Sequence, residues 1–319
     1  MTGRAPSLGC TASLLAAVLA FAPGLTATAD DGLTVLFSGD VRGSYEGCDC
    51  QNQPLGGLAQ RAFLVGQRRQ PGSPALVVDA GNLLFRTPKG LGDDAEAWRR
   101  TGAILLTDAY SLLGVDAVNV GPNDLATGLE YLQRLARRAS FPLLSTNLVD
   151  PVTDRPVFTS VLHLNRAGER AAVIGLLPGE MSGRGFRTLD PIATARDAVA
   201  AARAQGAERI IVLSALGQDD ERLLARKVKG IDLIVGAGDR SRTDPALQVK
   251  TTVIAHVGSR GKYLGQATLP TDGGTATVVL VPVESGGPVD EEILALVEET
   301  RLRHSSPDFV EAGRQAVPP

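Results

Sequence analysis

Cys48 and Cys50 stand one residue apart in the loop that follows Gly43-Ser44-Tyr45-Glu46-Gly47, and their spacing implies chemistry more directly than any other pair in the sequence. Thiols this close can close into a strained disulfide, coordinate a soft ion such as Cu(I) or Zn(II), or bridge to a partner chain. Asp49 between them raises a neighbouring thiol pKa, whereas Arg42 or Arg61 would lower it if brought close. The third cysteine, Cys10, lies in a segment that reads as cleaved, which leaves the pair as the mature chain's only cysteines. Idle exposed thiols do not persist in an oxidising compartment, so Cys48 and Cys50 are expected to act as one catalytic or metal-binding unit.

A second set of candidates occupies five short Gly- and Asp-rich turns: Gly39-Asp40-Val41-Arg42-Gly43, Asp79-Ala80-Gly81-Asn82, Gly121-Pro122-Asn123-Asp124, Ser214-Ala215-Leu216-Gly217 and Gly236-Ala237-Gly238-Asp239-Arg240. One such turn is only a turn. Each of these directly follows a β-rich run, however, and the carboxyl ends of strands are where α/β folds gather their sites. Arg42 and Arg240 place guanidinium charge among the carboxylates and amides, which opposes a metal and suits an anion. The competing reading pairs them with Asp40 or Asp239. None of the 3 histidines falls in these turns, and His163 and His256, in strand-like stretches, read as satisfied core or surface residues.

The elements that must position these turns alternate along the chain. Runs of β character at 34–38, 75–79, 116–120, 142–145, 171–176, 209–214, 232–235 and 252–255 are interleaved with helical periodicity at 58–70, 96–113, 125–139, 192–205 and 221–227. Segments 264–269 and 275–283 flank Asp272-Gly273-Gly274 and predict a hairpin, which makes the sheet mixed. Segment 290–303 predicts a docking or linking helix.

Composition sets the outer limits. The chain has 319 residues, 44% hydrophobic and 21% charged, enough apolar material for a large core. Aromatics are only 4%, with 36 Gly and 19 Pro, which favours a layered α/β fold with an aliphatic core. With 32 Lys and Arg against 35 Asp and Glu, and no basic run, nucleic acid is not expected as a partner. Arg4, an apolar run over 14–22 and Ala27-Thr28-Ala29 read as a secretory signal cleaved after Ala29. No later stretch is apolar enough to span a bilayer, so the mature chain is expected to be exported, periplasmic or extracellular, without a membrane span.

From about residue 33 to 283 the sequence resembles the 5′-nucleotidase branch of the metallophosphoesterases, the calcineurin-like phosphoesterase superfamily. The resemblance rests on Pro54-Leu55-Gly56-Gly57-Leu58-Ala59-Gln60-Arg61-Ala62, on Gly128-Leu129-Glu130-Tyr131-Leu132, on Phe141-Pro142-Leu143-Leu144-Ser145-Thr146-Asn147-Leu148 and on Gly261-Lys262-Tyr263-Leu264-Gly265. It implies a four-layer α/β/β/α sandwich with mixed sheets and, in the family, a pair of divalent metals that activate water and clamp phosphoryl oxygens. Residue by residue the ligand pattern departs: Asp40 stands where the family has Asp, but Arg42 and Asn82 replace a His and a bridging Asp. Pro122 and Asn123 replace Asn and His, Ala215 replaces His, and Gly238 and Arg240 replace the two His of the last motif. Asp40 with the remnants Asn82, Asn123 and Asp124 falls short in charge and ligand count, so a dinuclear Mn, Zn or Mg site is not expected. The Cys-x-Cys pair and Gly121-Pro122-Asn123-Asp124-Leu125-Ala126 are similar to a branch of this family some of whose members carry selenocysteine.

The resulting expectation is a signal peptide at 1–29, a metallophosphoesterase-like domain at 30–284 and a C-terminal helix and tail at 285–319. Its function would be thiol redox chemistry with a redox partner protein, or binding of one soft metal, copper or zinc, through Cys48 and Cys50, with Asp40 as a further ligand. The alternatives are residual metal-dependent hydrolysis of 5′-nucleotides and a non-catalytic module that binds an anion or a protein.

Overall fold

The structure, a computed structural model, describes residues 1–3, 32–48, 54–69, 75–85, 94–166 and 168–305. Residues 4–29 of the expected signal segment, including Cys10, as well as Cys50 and the tail beyond 305, lie outside the described residues. In chain order the elements are β1 (Gly32–Ser38), α1 (Leu58–Arg68), β2 (Ala75–Asp79), α2 (Asp94–Leu112), β3 (Ala117–Asn119), α3 (Leu129–Arg138), β4 (Leu143–Leu144), β5 (Leu148–Val149), β6 (Val161–Arg166), β7 (Glu169–Leu176), β8 (Ser182–Gly183), β9 (Phe186–Thr188), α4 (Pro191–Ala204), β10 (Arg209–Ser214), α5 (Gln218–Lys227), β11 (Leu233–Gly236), β12 (Leu247–Val249), β13 (Thr252–His256), β14 (Tyr263–Pro270), β15 (Thr277–Pro282) and α6 (Glu291–Ser305).

Two six-stranded sheets run β15-β14-β1-β2-β3-β4 and β12-β13-β11-β10-β7-β6, and β5, β9 and β8 form a small third sheet. Both large sheets are mixed. β1 pairs in parallel with β2 and antiparallel with β14, and β10 lies parallel to both β7 and β11. Alternation along β1 shows why two faces are covered: Leu33, Val35 and Phe37 turn to one core with Ile211, Leu213 and Val235 of the other sheet. Leu36 points to the opposite face, into the core with Leu58, Leu106 and Leu132 of α1, α2 and α3. On the far side Ile174, Val212 and Ile234 pack with Val199 and Leu224 of α4 and α5. Helix, sheet, sheet, helix is the expected four-layer order, and a buried leucine or phenylalanine in such a layer contributes about 1.5–3 kcal/mol.

Local chemistry explains the helix ends. Asp190 accepts from the Ala193 backbone N–H at 2.6 Å and Pro191 opens α4, both suited to the first turn. α5 begins earlier than the periodicity predicts, because Asp219, Asp220 and Glu221 fill its first turn and Arg226 and Lys227 its last, matching the helix dipole. The helix predicted over 125–139 is two elements: a 3-10 turn at Pro122–Leu125, then α3. Gly128, at φ 88°, interrupts the helix, while the spacing of Leu125, Leu129 and Leu132 disguises the break. β6 pairs with β7 as an edge strand, a length not predicted by the sequence reading. α6 packs on α1 and α2, with Ile293 and Val297 in their core.

Candidate functional site

All five Gly- and Asp-rich turns meet at one end of the two sheets. They border a cleft of about 360 Å³ lined by Arg42, Asn82, Asn123, Gly217, Asp239 and Arg240 among others. The parallel pairing of β1 with β2, of β2 with β3, and of β10 with β11 brings their carboxyl ends together. The 40–43 turn is then zipped to the 81–83 turn by backbone bonds from Asp40 to Gly81, Arg42 to Asn82 and Gly43 to Leu83, at 2.9, 2.8 and 2.8 Å.

Asp40 is buried behind the cleft-lining Arg42, Asn82, Gly238 and Arg240, and its carboxylate is fully engaged. Oδ1 accepts from Arg42 Nε at 3.1 Å and Nη2 at 2.8 Å, and from Asn82 Nδ2 at 2.9 Å. Oδ2 accepts from the backbone N–H groups of Gly238 at 2.9 Å and Arg240 at 3.0 Å. Asn82 in turn accepts from the Asn123 N–H at 3.0 Å, which ties the third turn to the first two. Asp124 is buried and accepts from the Gly121 and Leu84 N–H groups, both at 2.8 Å. Burial pushes its pKa up to about 7 against the pull of those bonds.

Backbone conformation marks the same place. Asp40, Arg42, Asn82, Arg240 and Arg260 are five of the eight non-glycine residues at positive φ among the described residues. Such conformations persist only where the surroundings enforce them, and they gather at functional sites. Arg260 joins the group through its N–H, which donates to the Asp40 carbonyl at 2.9 Å.

Beneath the 236–241 turn lies a buried ionic network that holds it. His256 Nε2 sits 2.5 Å from Glu221 Oε2, and Nδ1 lies 2.9 Å from Ser241 Oγ and 3.5 Å from Asp239 Oδ1. Burial opposes the imidazolium, but the hydrogen bonds and charges of Asp239 and Glu221 outweigh it and raise His256 to about 9. Burial likewise opposes the charged form of Asp239, yet its bonds to His256, Ser241 and the Gln218 N–H hold the carboxyl well below the usual range. A protonated His256 bonded to Ser241 does not activate that hydroxyl as a nucleophile; it anchors the turn that supplies two donors to Asp40.

This geometry can be set beside known proteins. No family model matches the chain. Mouse (Mus musculus) 5′-nucleotidase is 27% identical over an alignment of 348 positions covering 95% of this chain and 58% of that protein. Among solved structures, sulfate thiohydrolase SoxB from Thermus thermophilus superposes with a TM-score of 0.74 at 20% identity, over 86% of this chain and 61% of that one. Calcineurin-like phosphoesterase YfkN from Bacillus subtilis gives a TM-score of 0.69 at 19% identity, over 88% of this chain and 98% of that one. The chain has the fold of the 5′-nucleotidase-like metallophosphoesterases. It spans 58% and 51% of the length of the mouse and Diplobatis ommata 5′-nucleotidases and 31% of that of the Treponema pallidum relative. In this metallophosphoesterase fold the cleft sits where the sequence motifs converge, and among the described residues no group of three or more His, Cys, Asp or Glu side chains is arranged to hold a metal.

Within the metallophosphoesterase fold, Cys48 lies outside the cleft. It is disulfide-bonded, and its partner is outside the described residues. Cys48 lines a separate pocket of about 180 Å³ with Tyr45, Glu46, Trp98 and Arg260. Tyr45 is buried, bonds His304 of α6 through its hydroxyl at 3.1 Å, and is pushed up to about 12 by burial and by Glu46. Thus the sequence candidates Asp40, Arg42, Asn82, Asn123, Asp124 and Arg240 share one site, and Cys48 belongs to another.

The ion pair foreseen for Arg42 is formed with Asp40, while Arg240 contributes its backbone N–H there. Arg61, one of the two cations weighed against the Cys48 thiol, is instead buried with its guanidinium 5.3 Å from the Tyr110 ring centre. His163 is exposed on β6 and His256 is a satisfied core residue. Glu221, Ser241, Tyr45, Trp98 and Arg260 were not legible as site residues. Tyr45 stands in the stretch that leads up to the cysteines, while the others come from distant elements and stand in no motif.

Proposed function

We propose that this chain is an exported protein of metallophosphoesterase fold with a degenerate dinuclear site, and that it acts through Cys48 and Cys50 in thiol–disulfide exchange. The observation that carries the reading is that Cys48 is disulfide-bonded while lining a pocket. Exchange needs only an attacking thiolate and an accessible sulfur. A mixed disulfide forms, and the displaced cysteine leaves as a thiolate.

The residues present do not fit a metal pair. Asp40 has both oxygens occupied by five donors, Asn82 and Asn123 are neutral, and Arg42 and Arg240 add positive charge. No step is therefore routed through metals. Residual 5′-nucleotide hydrolysis remains the alternative, favoured by the convergence of Asp40, Asn82, Asn123 and Asp124 on one cleft and by relatives named 5′-nucleotidase. A non-catalytic anion- or protein-binding role in that cleft is favoured by Arg240, whose side chain has no ion-pair partner among the described residues. Reduction of the pair would expose two thiolates, which would also suit one copper or zinc ion. Export is supported by the residue 1–29 pattern, and among the described residues no helix is long and apolar enough to cross a membrane.

The test is to treat the mature chain with excess small thiol, alkylate, and read the mass. Two labels on Cys48 and Cys50, reversed by an oxidised thiol, are expected, with nucleotide monophosphate turnover at background in Mn(II), Mg(II) or Zn(II). Turnover of about 1 s⁻¹, well within the enzymatic range, that Asp40→Ala abolishes would make hydrolysis the function instead.

A further inference from the structure

The pocket beside Cys48 carries two opposite charges that leave each other unpaired. Glu46 and Arg260 both line it, yet no ion pair joins them, and neither has another ion-pair partner among the described residues. Half-buried Trp98, its ring centre 6.1 Å from that of the buried Tyr45, supplies an aromatic surface suited to a cation. At about 180 Å³ the pocket lies below the roughly 300–1,000 Å³ of a drug-sized site, so its ligand is small. Cys48, which also lines the pocket, is already disulfide-bonded.

We infer that this pocket selects a small zwitterionic aminothiol, an amino-acid thiol of the size of free cysteine, as the exchange substrate of the Cys48 disulfide. The inference rests on the thiol-exchange reading and names its substrate class. The ligand carboxylate faces Arg260, its ammonium faces Glu46 and Trp98, and its sulfur meets Cys48. In the first step the ligand thiolate attacks Sγ of Cys48. A ligand–Cys48 disulfide forms, the bond from Cys48 to its protein partner breaks, and the partner sulfur leaves as a thiolate that takes a proton. A second ligand thiolate then attacks the ligand sulfur of that mixed disulfide. It releases the symmetrical ligand disulfide and the Cys48 thiolate, so that two thiols lose two electrons and the protein disulfide gains them.

The direct test is the second-order rate of reduction of the mature full-length chain by cysteine, cysteamine, mercaptoacetate and 2-mercaptoethanol. Each rate is divided by that of the same thiol with a small uncharged reference disulfide, which removes differences in thiol pKa. One well-placed exposed charge is worth about two- to fivefold, so cysteine should exceed 2-mercaptoethanol by about tenfold after normalisation. Arg260→Gln should lower the cysteine-to-cysteamine ratio by about two- to fivefold, with recovery in Arg260→Lys, and Glu46→Gln should lower the cysteine-to-mercaptoacetate ratio similarly. Melting temperatures of the variants confirm that they are folded. Equal normalised rates across the four thiols overturn the aminothiol preference while leaving exchange itself standing. No reduction by any of the four overturns both.

Discussion

Arg42 and Asp40 are two residues apart, both at positive φ, and form a buried ion pair through Nε at 3.1 Å and Nη2 at 2.8 Å on one carboxylate oxygen. The pair holds a buried carboxylate behind the cleft lining. Its other oxygen holds the 238–240 turn. The carboxylate therefore works as a structural anchor for loops from both sheets.

That arrangement predicts the effect of removing it. Asp40→Ala strands a buried guanidinium and the N–H groups of Gly238 and Arg240, at a cost of about 3–5 kcal/mol. A carboxylate kept for metal binding commonly behaves in the opposite way, since active-site residues are retained at the expense of stability. Urea unfolding of wild type and Asp40→Ala distinguishes the two. A variant as stable as wild type would remove the anchor role.

The His256 network gives the stability a pH dependence. His256 is raised to about 9 from an ordinary 6.5, so the folded state binds more protons than the unfolded state between those values. Its stabilising contribution is present below about 6.5 and is lost as pH rises through about 9. The slope from this one group is at most about 1.4 kcal/mol per pH unit. Melting temperature should fall across that window, and the fall should be shallower in His256→Gln. Asp239 is depressed and stays ionised throughout, so it does not offset the trend.

Two glycines should respond in opposite directions to alanine. A Cβ on Gly121 would meet Asn82 Oδ1 at 2.3 Å and its backbone nitrogen at 2.4 Å, displacing the link between the second and third turns. Gly66 lies inside α1 with nothing within 4 Å of its added carbon. Gly66→Ala should stabilise by about 0.5–1 kcal/mol, while Gly121→Ala should destabilise by about 1–3 kcal/mol, as overpacking does. Thermal unfolding of both variants reads this directly. Equal shifts of one sign would contradict the packing of the cleft.

Much of the architecture was legible because it is local. The strands around Val35, Val77, Val212 and Ile234 are short apolar runs bounded by Gly- and Asp-rich turns, and the turns themselves mark the strand ends that build the cleft. The partners of those turns were not legible. That Asp40 would accept from the backbone of Gly238 and Arg240 depends on how two sheets stack, and a backbone donor leaves no sequence signature. Glu221 reads as an ordinary acid in the first turn of a helix, and only tertiary packing sets it against His256. Arg260 lies in a turn with no motif, yet its fold position brings it to the Cys48 pocket. The pocket joins residues 43–48, Leu55 and Trp98 of the first third of the chain to Arg260 of the last, a separation that periodicity does not bridge.

The most direct measurement of the central claim is a redox titration of the folded mature chain, with Cys48 and Cys50 labelled at each potential and far-UV circular dichroism followed in parallel. Exchange chemistry predicts a reversible two-electron transition at a potential above about −300 mV, where labile rather than bracing disulfides lie, completed with the fold intact. Reduction that occurs only below that range, or only as the chain unfolds, would show a bracing disulfide and contradict the account.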